Sequence, residues 1–369
     1  MRMVGEKFLV VVVALHLCGL LPLTPYNPIA GASSARAEDL TPSGAPRPAT
    51  AGDFNGDAIT DLAVADYSTG EVTVWLSLPE RRHAQVATRL TVGRGTAALE
   101  AGDFNGDHHL DLALANFLLH RVSIWLGNGQ GDFQPMPSAV YEVGPGPLFI
   151  TACDLNGDGV VDLAVANWSS SSISLLLGVG DGTFRRARHV NVGTSPRSIS
   201  AGDVNGDGYL DLAVANGGSD SVSILLGLGN GKFRRARHVP AGTCPRSIAM
   251  DDFNGDGRLD LAVANGGSKT LSIHLGRGGG AFRSAQHLAV GTELQEVVTF
   301  DLDGDGRRDL VVAETGSHHL PIWLGNGDGT FRAGQPLRIE DLPEPMLAGD
   351  FNRKHLQDWA RARPYPTNR

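Results

Sequence analysis

Asp203-Val204-Asn205-Gly206-Asp207-Gly208-Tyr209-Leu210-Asp211, followed at once by Leu212-Ala213-Val214-Ala215-Asn216, decides how the chain reads. The first nine residues put oxygen-bearing side chains at positions one, three, five and nine, with glycine at four and six. The run that follows is short, apolar and β-like. Working outward, the same stretch returns at Asp53, Asp103, Asp154, Asp252 and Asp301, and in worn form at Asp350. Successive starts lie 50, 51, 49, 49, 49 and 49 residues apart. Self-similarity at a fixed period marks a repeat architecture and is read before any local feature.

Each unit has one grammar. An apolar lead-in such as Ser198 to Ala201 precedes the acidic loop, and the Asp-Leu-Ala-Val-Ala-Asn run follows it. A Gly/Ser turn (Gly217-Gly218-Ser219), a third apolar stretch (Ser221 to Leu226), a glycine-rich turn ending in Phe233 and a last stretch through Val239 complete the unit. Four short strands with turn signals 8–12 residues apart predict an antiparallel sheet. Glycine, at 48 of 369 residues, disfavours long helices, because each interior glycine costs about 0.5–1 kcal/mol against alanine. It never falls at every third position, which excludes collagen. A single unit of this length cannot bury both faces of its sheet, whereas six or seven stacked radially can. The expected fold is all-β: a seven-bladed β-propeller of four-stranded antiparallel blades, six complete and a seventh reduced. The repeats fall near 47–96, 97–146, 147–195, 196–244, 245–293 and 294–342, with 343–369 partial and 38–46 as a ring-closing strand.

The Asp-x-Asn-x-Asp-Gly-x-x-Asp-Leu-Ala-Val-Ala-Asn pattern resembles the FG-GAP/VCBS repeats of bacterial secreted proteins, which are related to the propeller at the head of integrin α chains. The resemblance covers about residues 47–358. It implies a propeller with calcium in the loop between strands one and two of each blade.

The residues support that implication independently. Oxygen-only donors on a tight glycine-bearing loop suit a hard cation of calcium's size. The expected ligands are Asp53, Asn55, Asp57, the carbonyl of Ile59, and Asp61; then Asp103, Asn105, Asp107, His109 (carbonyl) and Asp111. The third and fourth sets are Asp154, Asn156, Asp158, Val160 (carbonyl) and Asp162, and Asp203, Asn205, Asp207, Tyr209 (carbonyl) and Asp211. The fifth is Asp252, Asn254, Asp256, Arg258 (carbonyl) and Asp260, and the sixth Asp301, Asp303, Asp305, Arg307 (carbonyl) and Asp309. Position six is Ala58 and His108 in the first two copies, so up to six structural Ca²⁺ sites are expected, the first two weaker. Lys354 in the seventh copy repels a cation. An EF-hand needs glutamate at loop position twelve between helices; valine stands there (Val165, Val214) within a β-run.

Residues 1–37 read as a secretory signal: Arg2 and Lys7, an apolar run from Phe8, and Ala35-Arg36-Ala37 as the cleavage pattern. The run is too short to span a bilayer, so no transmembrane span is expected in the mature chain. The net charge is −9, and no basic patch was evident, which argues against nucleic acid. Cys18 falls in the leader; Cys153 and Cys244 are too far apart in the repeat to bridge. Trp75, Trp125 and Trp323 share a repeat position with Leu176, Leu225 and His274, as a core slot would. His189, His238 and His287 also share one, but on successive blades, which disfavours a zinc triad.

No catalytic motif is present, so the chain is read as a non-enzyme: an exported calcium-binding module for adhesion or binding, secreted or held at the cell surface or in the periplasm. Its partner is an extracellular protein or glycan. The loops from strand two to strand three vary most, and Phe117, Leu118, Leu119 and Trp168, with Arg197 and Arg246 at the mouth of the same face, form the expected partner surface. The alternative is a secreted carbohydrate-active enzyme, or another hydrolase or lyase, with its site on that variable face; a purely structural surface repeat is the third class.

Overall fold

Leu212 and Val214 face one neighbour and Ala213 and Ala215 the other, because successive side chains of a strand point to opposite faces. Leu212 and Val214 pack with Ala164, Ile173 and Leu175 of the preceding unit. Ala213 and Ala215 pack with Ile248, Leu261 and Val263 of the following one. Both faces are therefore buried, which is why Asp211–Asn216 reads as a continuous apolar run instead of an alternating one. Truncating such a side chain, Leu212→Ala, costs about 2–5 kcal/mol.

The structure is a computed structural model and describes residues 48–77, 84–291, 293–314, 317, 319–338, 347–349 and 358–360. The signal segment 1–37, the segment 38–46 and the worn loop with Asp350, Asn352 and Lys354 lie outside the described residues. Among the described residues there is no α-helix. Six four-stranded antiparallel sheets follow one another, each with its main strands in sequence order. In blade four the strands are Pro196–Gly202, Asp211–Asn216, Ser221–Leu225 and Arg237–Pro240. The first strands of successive blades lie against one another and so form the inner ring. Leu347–Gly349, paired with Asp358–Ala360, stands beside Ala49–Gly52, the first strand of blade one.

The register repeats as well. Leu62↔Trp75, Leu112↔Trp125, Leu163↔Leu176, Leu212↔Leu225, Leu261↔His274 and Leu310↔Trp323 are the same cross-strand pair in six blades. Leu176, Leu225 and His274 are wholly buried, and Trp125 and Trp323 pack on hydrophobic clusters, as a core slot requires. In blade six the third strand is split at Pro321 into His319–Leu320 and Ile322–Gly325, since proline cannot donate to the ladder. Cys153 and Cys244 are free thiols.

Candidate metal loops

In every complete copy the ninth loop residue is a buried aspartate that joins the loop to the rest of its blade. Asp211 Oδ2 accepts the Val204 N–H at 3.1 Å and Oδ1 accepts the Gly227 N–H at 2.7 Å. Asp61, Asp111, Asp162, Asp260 and Asp309 do the same with their own position-two and downstream amides. The downstream donor is glycine in five blades because the chain passes close there. A Cβ on Gly227 would come within 2.2 Å of the Leu210 carbonyl oxygen.

The first aspartate organises the turn itself. Asp203 Oδ1 accepts the N–H groups of Gly206 and Asp207, and Oδ2 accepts that of Gly208. Asp207 Oδ1 in turn accepts the Tyr209 N–H. Position six sits at positive φ throughout. Gly208 adopts +85° freely, whereas Ala58 and His108 are forced to +60° and +67°, a conformation that costs an L-residue about 1–2 kcal/mol.

The loops collect more negative charge than their few bases offset: Arg258 lies 3.6 Å from Asp256 and Arg307 3.8 Å from Asp305, both at position five. Burial pushes the carboxyls of Asp61, Asp111, Asp162 and Asp260 up to about 6, and the loop's other carboxylates add to the rise. Asp211 and Asp309 are raised for the same reasons. In loop six, Asp301, Asp303 and Asp309 bring one carboxylate oxygen each within 4.8 Å of one another. Positions one, three and nine thus converge, while Asp305 at position five is outside the group. Among the described residues no other loop gathers three carboxylates this closely, because position three is asparagine in loops one to five. The Asn205 and Asn254 side-chain amides nevertheless lie against Asp211 and Asp260, 3.1 and 3.2 Å away. Position three therefore turns toward position nine there too; which end of the amide faces the carboxylate is an assignment of nitrogen and oxygen. Asn105 differs, its amide turning to Asp107. The position-seven residues Ile59, His109, Val160, Tyr209, Arg258 and Arg307 each donate their N–H to the position-five carboxylate, leaving their carbonyls unused by that bond.

One element of the site was missed from the sequence: position two is a latch to the next blade. The Phe54 carbonyl accepts the Gly131 N–H of blade two, Phe104 that of Gly182, and Phe253 that of Gly329. The Phe54, Phe104 and Phe253 rings meet Phe133, Phe184 and Phe331 edge-on at 5.5–5.6 Å between centroids. Leu155 and Val204 fill this place in loops three and four, packed beside Phe233 and Phe282. The signal was present as the apolar second position and the phenylalanine that closes every glycine turn.

On the opposite side, Leu118 and Leu119 are exposed, and Phe117 lies 6.3 Å from the half-buried Trp168. Arg197 and Arg246 lie against Gly217 and Gly266 of the loops from strand two to strand three and expose little of their side chains. Arg197 is only 7% exposed, and Arg246 is ion-paired to Glu293. His189, His238 and His287 each hold Nδ1 on a buried serine, Ser174, Ser223 or Ser272.

The model of the family described as FG-GAP-like repeat matches residues 53–114, 103–165, 154–214, 203–263, 252–312 and 301–358. No curated protein matches the chain. A solved Agrocybe aegerita lectin, described by its recognition of non-reducing terminal N-acetylglucosamine, is 18% identical, with 80% of each chain covered and a TM-score of 0.56. A putative 6-phosphogluconolactonase from Bacteroides fragilis is 16% identical over 79% of this chain and 85% of its own, TM-score 0.60. A functionally unknown protein from Desulfotomaculum acetoxidans is 14% identical over 82% and 88%, TM-score 0.58. At these identities the likeness shows the propeller fold alone.

Proposed function

The chain belongs to the FG-GAP-like repeat family, and from that premise we propose that it is an exported, calcium-loaded propeller serving as a binding or adhesion module, with the metal structural. The observation that carries this reading is the gathering of Asp301, Asp303 and Asp309 in a loop whose pattern recurs six times. Positions one, three and nine would hold the ion, Asp53, Asn55 and Asp61 in loop one through Asp301, Asp303 and Asp309 in loop six, with position five and the position-seven carbonyl completing the donor set. A bound Ca²⁺ supplies charge compensation for the loop's carboxylates.

The chain's own residues turn that compensation into rigidity. Position nine fixes the loop to its blade, and in loops one, two and five position two fixes it to the next blade. A ligand that binds only the folded loop stabilises the fold by mass action. Export is supported by the apolar run from Phe8 and the Ala35-Arg36-Ala37 pattern. Leu118 and Leu119, exposed at adjoining positions on the variable face, support a partner surface there. The fold serves as a lectin in Agrocybe aegerita, which makes glycans the first class to test.

The test is retention of the purified chain on an array of glycans and extracellular proteins, with calcium and with chelator. Saturable retention, lost in chelator and weakened by Leu118→Ser with Leu119→Ser, is expected. Retention unaffected by either, or turnover of polysaccharide or phosphoester substrates, contradicts it.

A further inference from the structure

The segments that lead into the outermost strands of blades three and four, Arg188–Asn191 and Arg237–Pro240, concentrate basic charge. Residues 182–202 contain Arg185, Arg186, Arg188 and Arg197 and no acid; residues 231–250 contain Lys232, Arg234, Arg235, Arg237 and Arg246 and no acid. Arg185, Arg186 and Arg188 occupy the same repeat positions as Arg234, Arg235 and Arg237, and all six are exposed. Arg188 stands opposite Leu175 and Arg237 opposite Ile224 on the rim strand of each blade. Arg185 and Arg234 sit where their N–H groups reach the Leu177 and Leu226 carbonyls. None of the ion pairs among the described residues engages these six guanidinium groups. The fold does not require them, for blade two has Gln134, Pro135 and Pro137 at the same places. The overall charge of −9 conceals the patch.

Two imidazoles extend it. Ser174 Oγ accepts the Asn167 side-chain amide at 2.8 Å and the Gly144 N–H at 3.1 Å. His189 Nδ1 lies 2.9 Å from the same oxygen, so the serine engages that nitrogen and not Nε2. Ser223, with Asn216 and Gly193, does the same for His238. Both rings are exposed, with Nε2 clear of the serine bond. The charged side chains of these two rim stretches are all cations, which donate and do not accept. Phe184 and Phe233 turn into the hydrophobic clusters, so no aromatic platform accompanies the arginines for stacking bases.

We infer that the rim of blades three and four binds an acidic polysaccharide, its sulfate or carboxylate groups held by the paired arginine triplets. Guanidinium forks match such groups two bonds at a time. The inference rests on the reading of the chain as a binding module and names that module's partner; it does not depend on calcium.

The full chain, saturated with calcium, is measured on surfaces bearing dextran sulfate or unmodified dextran. Binding to the sulfated polymer alone, weakening steeply between low and physiological salt, is expected. Arg185→Gln, Arg186→Gln and Arg188→Gln together should lower affinity about tenfold or more. Arg94→Gln, Arg121→Gln and Arg332→Gln, an equal loss of charge from exposed sites elsewhere, should change it less than about twofold. Equal losses in the two variants overturn the inference. So does tighter rim-dependent binding to duplex DNA or to phosphatidylserine vesicles. Retention of neutral glycans or proteins without dextran sulfate binding overturns this inference alone, whereas no binding on any surface overturns the module reading with it.

Discussion

In loop six, Asp301, Asp303 and Asp309 converge and Gly306 takes the sixth position at φ +81°. In loop two, Asn105 turns its amide to Asp107, and His108 stands at φ +67° with its imidazole 3.8 Å from Asp103. The frame around them is nonetheless the same. Gly106 and Gly304 donate to their first aspartate at 2.7 Å, and Asp111 and Asp309 pin their loops through equivalent bonds. The comparison separates two tasks within nine residues. Positions one and nine hold the turn in either loop; positions three and six are where the two loops differ.

The largest expected effect should not distinguish the loops. Asp111→Ala and Asp309→Ala each strip the partner from two backbone N–H groups, and should each cost about 3 kcal/mol. Urea denaturation of both variants, with and without calcium, checks this; a mild effect in loop two alone would break the comparison. Next comes the donor at position three. Asp303→Asn should weaken one calcium site about tenfold, and Asn105→Asp should strengthen another by a similar factor, because affinity follows ligand charge. Titration calorimetry reads both changes, and identical isotherms would separate position three from metal binding. The smallest effect is conformational. His108→Gly should raise chelator-state stability by about 0.5 kcal/mol, and Gly306→Ala should lower it by about 1 kcal/mol, as expected where φ is positive. Thermal melts in chelator measure the pair, and a stabilising Gly306→Ala would contradict the backbone account.

The repeat period, the four strands of a unit and the shared Trp/Leu slot were legible because each is written in spacing and side-chain type. The strained turn of loop two was legible too, since a histidine at a left-handed position is visible in one letter. The latch from Phe54 to Phe133 was not, because spacing does not tell which glycine turn stands beside which loop. Nor was the place of Asp305 outside the group of three carboxylates, where its Oδ1 accepts the Arg307 N–H. The place of Arg197 and Arg246 before the loop does not reveal that Gly217 and Gly266, lacking a Cβ, let those side chains lie close against the backbone. The rim arginines are hidden in the net charge, because the acidic loops outweigh them in the total.

Calorimetric titration of CaCl₂ into the full chain stripped by chelator tests the central claim most directly. The account predicts saturable binding of more than one and up to six ions per chain, accompanied by a higher melting temperature. Heats no larger than those of CaCl₂ diluted into buffer, with an unchanged melt, would contradict it.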